Sequence, residues 1–262
     1  MKKLFTLGFV FLLALNMYGQ DNPQAEYLLF EFMHVNDEMG SDYWQVEEFW
    51  SGIHKQRVAD KSINGWDLWS LSPSGTEQGS QYLTVTIFPT LKSMLQSINS
   101  LNVMAYAKKA YPDKKESELN EMMSKTVKSR DISHQVFFKG VNQTKDKFEM
   151  KVGTIVTLDI MKQIDGSYEE AESEIFKPWH QEMVDNGKSG HWGLLRAILP
   201  AGSETYGTHI AYSMYIDMSQ LAEYMENSFG EMDMMTELAV QEGLKTRDWK
   251  EKKIGKLEIM VR

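Results

Sequence analysis

The sequence predicts an α+β protein built from two tandem copies of a single βαββαβ unit, and two observations carry that prediction. Residues of the first half return in the second at one spacing of 126: Gly40, Ser41, Glu48, His54, Val58, Trp66 and Leu68 recur as Gly166, Ser167, Glu174, His180, Val184, Trp192 and Leu194. Both copies also carry the same order of strand-like alternation and helical spacing. Pro73, Gly75 and Glu77 reappear one residue later than that spacing, as Pro200, Gly202 and Glu204. Lys128, Arg130 and Asp131 reappear as Lys245, Arg247 and Asp248 after a shortening of ten. Solenoid repeats are far shorter than this period, so the chain divides into two similar halves.

Within the first half, alternation predicts a strand over 27–35, and 3.6-residue spacing predicts a helix over 42–61 with Ser41 or Asp42 as its N-cap. Strands over 66–71 and 81–88 follow, joined by a turn at Pro73, Ser74 and Gly75. Thr90 caps a long helical region reaching Arg130 and interrupted near Pro112, and a strand over 132–140 closes the half. The second half repeats the order: strands over 152–161, 192–199, 208–216 and 253–261, a helix over 168–186, and a helix over 218–249 capped by Asp217. The ten extra residues of the first half fall near 111–120, where Pro112 and a run of charges predict a surface excursion. The expected domain limits are 20–141 and 150–262, with 142–149 as linker.

This order is that of the ferredoxin-like unit, an antiparallel sheet with both helices on one face. In 66–71 both the Trp66, Leu68 side and the Trp69, Leu71 side are apolar, so the face opposite the helices also needs a cover. The second half can supply it, giving a pseudo-dimer within one chain.

Lys2 and Lys3, an apolar run over 4–15 and then Met17, Tyr18 and Gly19 have the three parts of a secretory signal peptide, too short in its apolar part to span a membrane. Cleavage is expected after Gly19, placing the mature chain in the periplasm or the medium without a membrane partner. Loss of the two lysines takes the formal charge from −9 to −11, a balance unsuited to nucleic acid, whose recognition needs clustered Lys and Arg. The chain has no Cys, which excludes disulfides, thiolate chemistry and acylation at a lipobox.

The two first helices, 48–58 and 174–184, each run into a second strand at Gly65 and Trp66 or at His191 and Trp192. This segment resembles that of the dimeric α+β barrel superfamily, most nearly its EthD-like and NIPSNAP-like branches, where a His near the end of the first helix is common. The resemblance implies two ferredoxin-like halves forming an intramolecular dimeric α+β barrel. It points to no single activity, because that superfamily includes cofactor-free monooxygenases, isomerases, haem enzymes and proteins without known chemistry.

His54 and His180 are the candidate catalytic residues. Each lies four residues after an aromatic side chain, Trp50 or Phe176, and imidazole serves as acid, base or axial ligand. A helix-terminal cap is the alternative. Glu48 and Glu174 lie six residues earlier, on another face, and are expected at the surface. Glu47 shares the face of His54, but its counterpart at the repeat spacing is Ser173. Trp66 and Trp192 are read as core or ligand wall. Arg196, on an otherwise apolar strand face, needs a carboxylate partner or an anionic ligand.

With His191, His209 and Tyr212 nearby, the second half is the richer in chemistry, so Trp192, Arg196, His191, His209, Tyr212 and Trp66 are the expected ligand-binding set. The Arg130, Asp131 and Arg247, Asp248 pairs are read as corner fasteners. Met232, Met234 and Met235 are read as apolar filler and not as thioether ligands for copper, and no metal site is expected. The sequence thus predicts an exported protein binding a small hydrophobic or aromatic molecule, with no cofactor. A cofactor-independent oxygenase or isomerase using a helix-borne His, a haem-binding barrel, and pairing into a homodimer stand as alternatives.

Overall fold

The computed structural model describes residues 26–227 and 232–262; the expected signal peptide, 1–19, lies outside them. Eight strands form one closed antiparallel barrel. In the first half these are β1 (Tyr27–Val35), β2 (Gly65–Ser72), β3 (Tyr82–Phe88) and β4 (Arg130–Gln143). In the second they are β5 (Ile155–Gln163), β6 (His191–Leu199), β7 (His209–Tyr215) and β8 (Arg247–Val261). Each half has the ferredoxin-like order, β4-β1-β3-β2 and β8-β5-β7-β6. The halves face each other across the interior and are also joined at both edges. The last strand of each half pairs with the second strand of the other, Trp66 opposite Val261 and Phe137 opposite Leu199.

Closure gives every strand two buried faces. Leu28, Phe30, Trp69, Leu83, Leu158 and Leu195 turn into the lumen, while Met33, Trp66, Leu68, Phe88 and Val261 face the helices. The two apolar sides of β2 are thereby both used by plain strand alternation, Trp66 and Leu68 toward the helices and Trp69 and Leu71 toward the lumen.

The helices lie outside. α1 (Gly40–Ala59) begins after Met39, not at the expected Ser41 or Asp42 cap. Thr90 does cap the second helical region, its Oγ1 accepting the Ser93 amide at 3.1 Å. That region is three helices, α2 (Leu91–Ser100), α3 (Val103–Ala110) and α4 (Glu116–Ser129). The inserted segment carries Tyr111 back to stack on Phe49 at 5.1 Å, over Gly52, where a Cβ would lie 2.3 Å from the phenol oxygen.

In the second half α7 (Met218–Asn227) and α8 (Met234–Leu244) replace the single expected helix to 249. β8 begins at Arg247 because residues 247–252 pair with β5, a long-range contact that local helical spacing does not encode. Among the described residues no helix is long and apolar enough to cross a membrane.

The first helix of the second half is α5 (Tyr168–Ala171), a π turn (Glu172–Phe176) and α6 (Lys177–Asp185). The π turn explains a change of register in the repeat. Tyr43 and Glu47 recur 125 residues on as Tyr168 and Glu172, whereas His54 recurs at 126; the π turn absorbs the extra residue. The counterpart of Glu47 is therefore Glu172, not Ser173, and both are buried.

Arg130 Nε lies 2.8 Å from Glu47 Oε1, and Arg247 pairs with Glu172. The corner arginines therefore fasten the last strand of each half to its first helix, through these glutamates and not through the neighbouring Asp131 and Asp248. Deletion of the exposed Glu174 should turn the π turn into ordinary helix and leave a folded protein with a small change in melting temperature. Deletion of Glu48 should rotate buried Ile53 and His54 out of place and cost at least about 3 kcal/mol. Thermal melts of both variants check this.

Candidate functional site

The expected site residues separate into three places. His54 and Trp66 line a cleft of about 510 Å³ between the helices and the sheet of the first half. His191 and Tyr212 reach a cavity in the barrel lumen. His180, Trp192, Arg196 and His209 lie on the helix-facing side of the second half.

On that side Arg196 finds the carboxylate that its position demanded. Its Nη1 is 2.9 Å from Glu169 Oε1, which also sits 3.0 Å from His209 Nε2. Thr208 Oγ1 holds the other nitrogen of His209 at 2.9 Å. Burial lowers the His209 pKa, and Glu169 opposes the shift. His180 stacks on Trp192 at 4.9 Å with Trp179 edge-on, and burial pushes its pKa down to about 3. A neutral ring packed between two indoles has a packing role.

The first-half cleft differs. Trp50, Trp66 and Phe88 form apolar walls, and Ile98 and Val127 stand exposed at its edge. His54 stacks on Trp66 at 4.7 Å, as its counterpart does on Trp192. Its Nδ1 lies 3.2 Å from Arg57 Nη1. A guanidinium only donates, so Nδ1 accepts and the proton of the neutral ring sits on Nε2. Burial, then Arg57, lowers the His54 pKa well below its ordinary range. His54 is thus a poor base at neutral pH.

Arg57 is the residue that sequence reasoning missed. It is 4 % exposed, its Nη2 donates to Ser97 Oγ at 2.9 Å, and its Nε has no hydrogen-bond partner. Among the described residues no carboxylate lies within ion-pair distance of it. The two buried or half-buried carboxylates of the cleft are held elsewhere, Glu47 by Arg130 and Glu31 by Thr84 and Gln135. Burial lowers the Arg57 pKa to about 10, so the side chain remains a cation.

The repeat held the signal. The counterpart of Arg57 is Met183, and Ser97, seven residues past its helix cap, corresponds to Tyr224, seven past Asp217. In the second half Tyr224 packs on Tyr215 at 5.3 Å and on Trp179 at 6.0 Å. A small hydroxyl and a cation therefore open in the first half a space that aromatic rings occupy in the second.

Burial raises the Glu47 pKa to about 7 against the pull of Arg130. The folded state thus holds a proton that the unfolded chain releases near the ordinary carboxylate range. The stability so contributed is complete below that range and is lost as pH rises through about 7, an effect on the order of 3 kcal/mol. Glu47→Gln should accordingly gain stability relative to the parent protein as pH is raised from about 5 to about 8. Chemical denaturation across that range measures it, and a constant difference would contradict the assignment.

No family model and no curated protein matches the chain. Solved structures do match its fold. A candidate monooxygenase from Fusobacterium nucleatum aligns with a TM-score of 0.57 at 9% identity, covering 91% of this chain and 94% of that one. An anthrone oxidase-like protein aligns at 0.51 and 13%, covering 91% and 93%. A haem-binding protein from Thermus thermophilus aligns at 0.51 and 8%, covering 89% and 91%. The fold they share with this chain is a dimeric α+β barrel, here completed within one chain. At these identities the likeness is one of fold.

Neither His54 nor His180 is set up as an axial haem ligand. An axial His ligates through one nitrogen while donating from the other to an acceptor. The Nδ1 of His54 faces a donor, Arg57, which fixes the proton on the nitrogen that would ligate. His180 is stacked on Trp192 with Trp179 beside it.

Proposed function

We propose that this is an exported binding protein whose first-half cleft holds a small aromatic or hydrophobic carboxylate. The observation that carries the reading is Arg57, a buried guanidinium in an aromatic cleft with no carboxylate within ion-pair distance among the described residues, Glu31 acting on it only from further off. A charge removed from water without an ion partner is costly, and a ligand carboxylate accepting from Arg57 relieves that cost. Half-buried Trp50 and the exposed Ile98 and Val127 supply the surface for an apolar body, with Trp66 and Phe88 buried behind His54 and Arg57. The signal-like N-terminus supports export, and a mature protein beginning at Gln20 by N-terminal sequencing is the expected outcome.

The experiment is a thermal-shift and calorimetric comparison of indole-3-acetate with indole-3-acetamide. The acid should bind and raise the melting temperature, and the amide should bind at least tenfold more weakly, as expected for loss of a charge-assisted hydrogen bond. Arg57→Met should remove that preference without destabilising the free protein, since it replaces a buried unpaired charge with the residue of the second half. Equal binding of acid and amide would sink the reading.

A second reading, an acid–base role in the same cleft, is favoured by Glu47 alone. Its pKa near 7 suits proton transfer at neutral pH better than either histidine. Conversion of a bound carboxylate by the parent protein and not by Glu47→Gln would support it.

A further inference from the structure

The barrel lumen holds a second cavity, of about 290 Å³, separate from the cleft. Its walls are apolar, Leu28, Phe30, Leu83, Val85, Leu158 and Leu195 among them. Polar groups gather at one end. Arg262 grips Asp67 there with two hydrogen bonds of 2.7 and 2.8 Å. Beside them runs a chain of three side chains: Asp146 Oδ2 lies 2.7 Å from His191 Nδ1, and His191 Nε2 lies 3.3 Å from the Tyr212 hydroxyl.

This chain is a coordinated departure from the repeat. Tyr212 stands where the first half has Val85, His191 where it has Gly65, and Gly193 where it has Asp67. Gly193 is required by Tyr212, because a Cβ there would lie 2.5 Å from the Tyr212 oxygen. Anchoring the segment between the halves accounts for Asp146 and His191. It gives no reason for a tyrosine hydroxyl at the lumen.

The hydrogen-bond roles follow from the carboxylate. With one ring proton, held on Nδ1 by Asp146, His191 has Nε2 as an acceptor, and the Tyr212 hydroxyl donates to it. The Tyr212 oxygen is left with acceptor capacity at the edge of an apolar chamber. Such a site calls for a neutral molecule with an apolar body and one hydroxyl donor; a carboxylate would set an acceptor against an acceptor.

We propose that the lumen is a second binding site, for a small neutral phenol whose hydroxyl donates to Tyr212 in line with His191 and Asp146. Burial holds the Tyr212 phenol well above its ordinary range, so it keeps its own proton while accepting.

The probe is 2-naphthol, titrated calorimetrically against 2-methoxynaphthalene, which has the same rings and no donor. The parent protein should bind 2-naphthol more tightly. Tyr212→Phe should weaken 2-naphthol roughly tenfold and leave the methyl ether unchanged. Leu195→Trp, which fills the chamber, should abolish binding of both. Ser97→Tyr, which fills the first-half cleft, should leave 2-naphthol binding intact, so failure here is distinguishable from failure of the carboxylate site. If Leu195→Trp does not fold, Gly193→Ala, whose methyl displaces Tyr212, should reproduce the selective loss. Undetectable binding of 2-naphthol, binding lost in Ser97→Tyr, or equal affinity in Tyr212→Phe would overturn the proposal.

Discussion

Each half of this protein leaves two sheet edges unpaired, the outer sides of β2 and β4 in the first half and of β6 and β8 in the second, and the other half satisfies them. The β2–β8 and β4–β6 ladders are therefore the contact on which everything else rests. They join the two sheets into a barrel, give every strand a lumen face and a helix face, and so define the two kinds of space in which a ligand can sit. One is enclosed by strands, the other lies between sheet and helices. The buried Glu47–Arg130 and Glu172–Arg247 pairs then fix the first helix of each half against the strand that crosses to the other. Removing one partner of such a pair strands a buried charge, so the pair defines helix position even where its net contribution to stability is small.

On a scaffold drawn twice, chemistry is found where the copies part. Arg57 and Ser97 against Met183 and Tyr224 open the first-half cleft and place inside it a buried cation with no carboxylate at ion-pair distance. His191, Gly193 and Tyr212 against Gly65, Asp67 and Val85 build a hydrogen-bonded chain at the lumen. The shared residues, His54 on Trp66 and His180 on Trp192 included, serve the packing common to both halves.

Much of the fold was legible because duplication let each half check the other. Alternation located all eight strands, the two apolar faces on β2 called for a covering second half, and the barrel itself came from the resemblance. What local pattern did not encode was long-range: the early start of β8, which exists by pairing with β5, and the division of the second helical regions. The site was less legible. Arg196 invited attention as an arginine on an apolar strand, yet Glu169 lies beside it in space. Arg57 drew no reading at all, since nothing in a helical pattern says which side chain will be enclosed without a carboxylate at ion-pair distance. Glu47 was obscured by the π turn, which shifts the repeat by one residue and hides its true counterpart, Glu172.

Asymmetry between the halves is the ground for proposing the first-half cleft as the seat of an acidic aromatic ligand. A crystal structure of the mature protein with indole-3-acetate tests it most directly. The carboxylate is expected within hydrogen-bond distance of Arg57, with the indole against Trp50 and Ile98. Density for the ligand in the second half, against His180 or Arg196, with the first-half cleft empty, would contradict it.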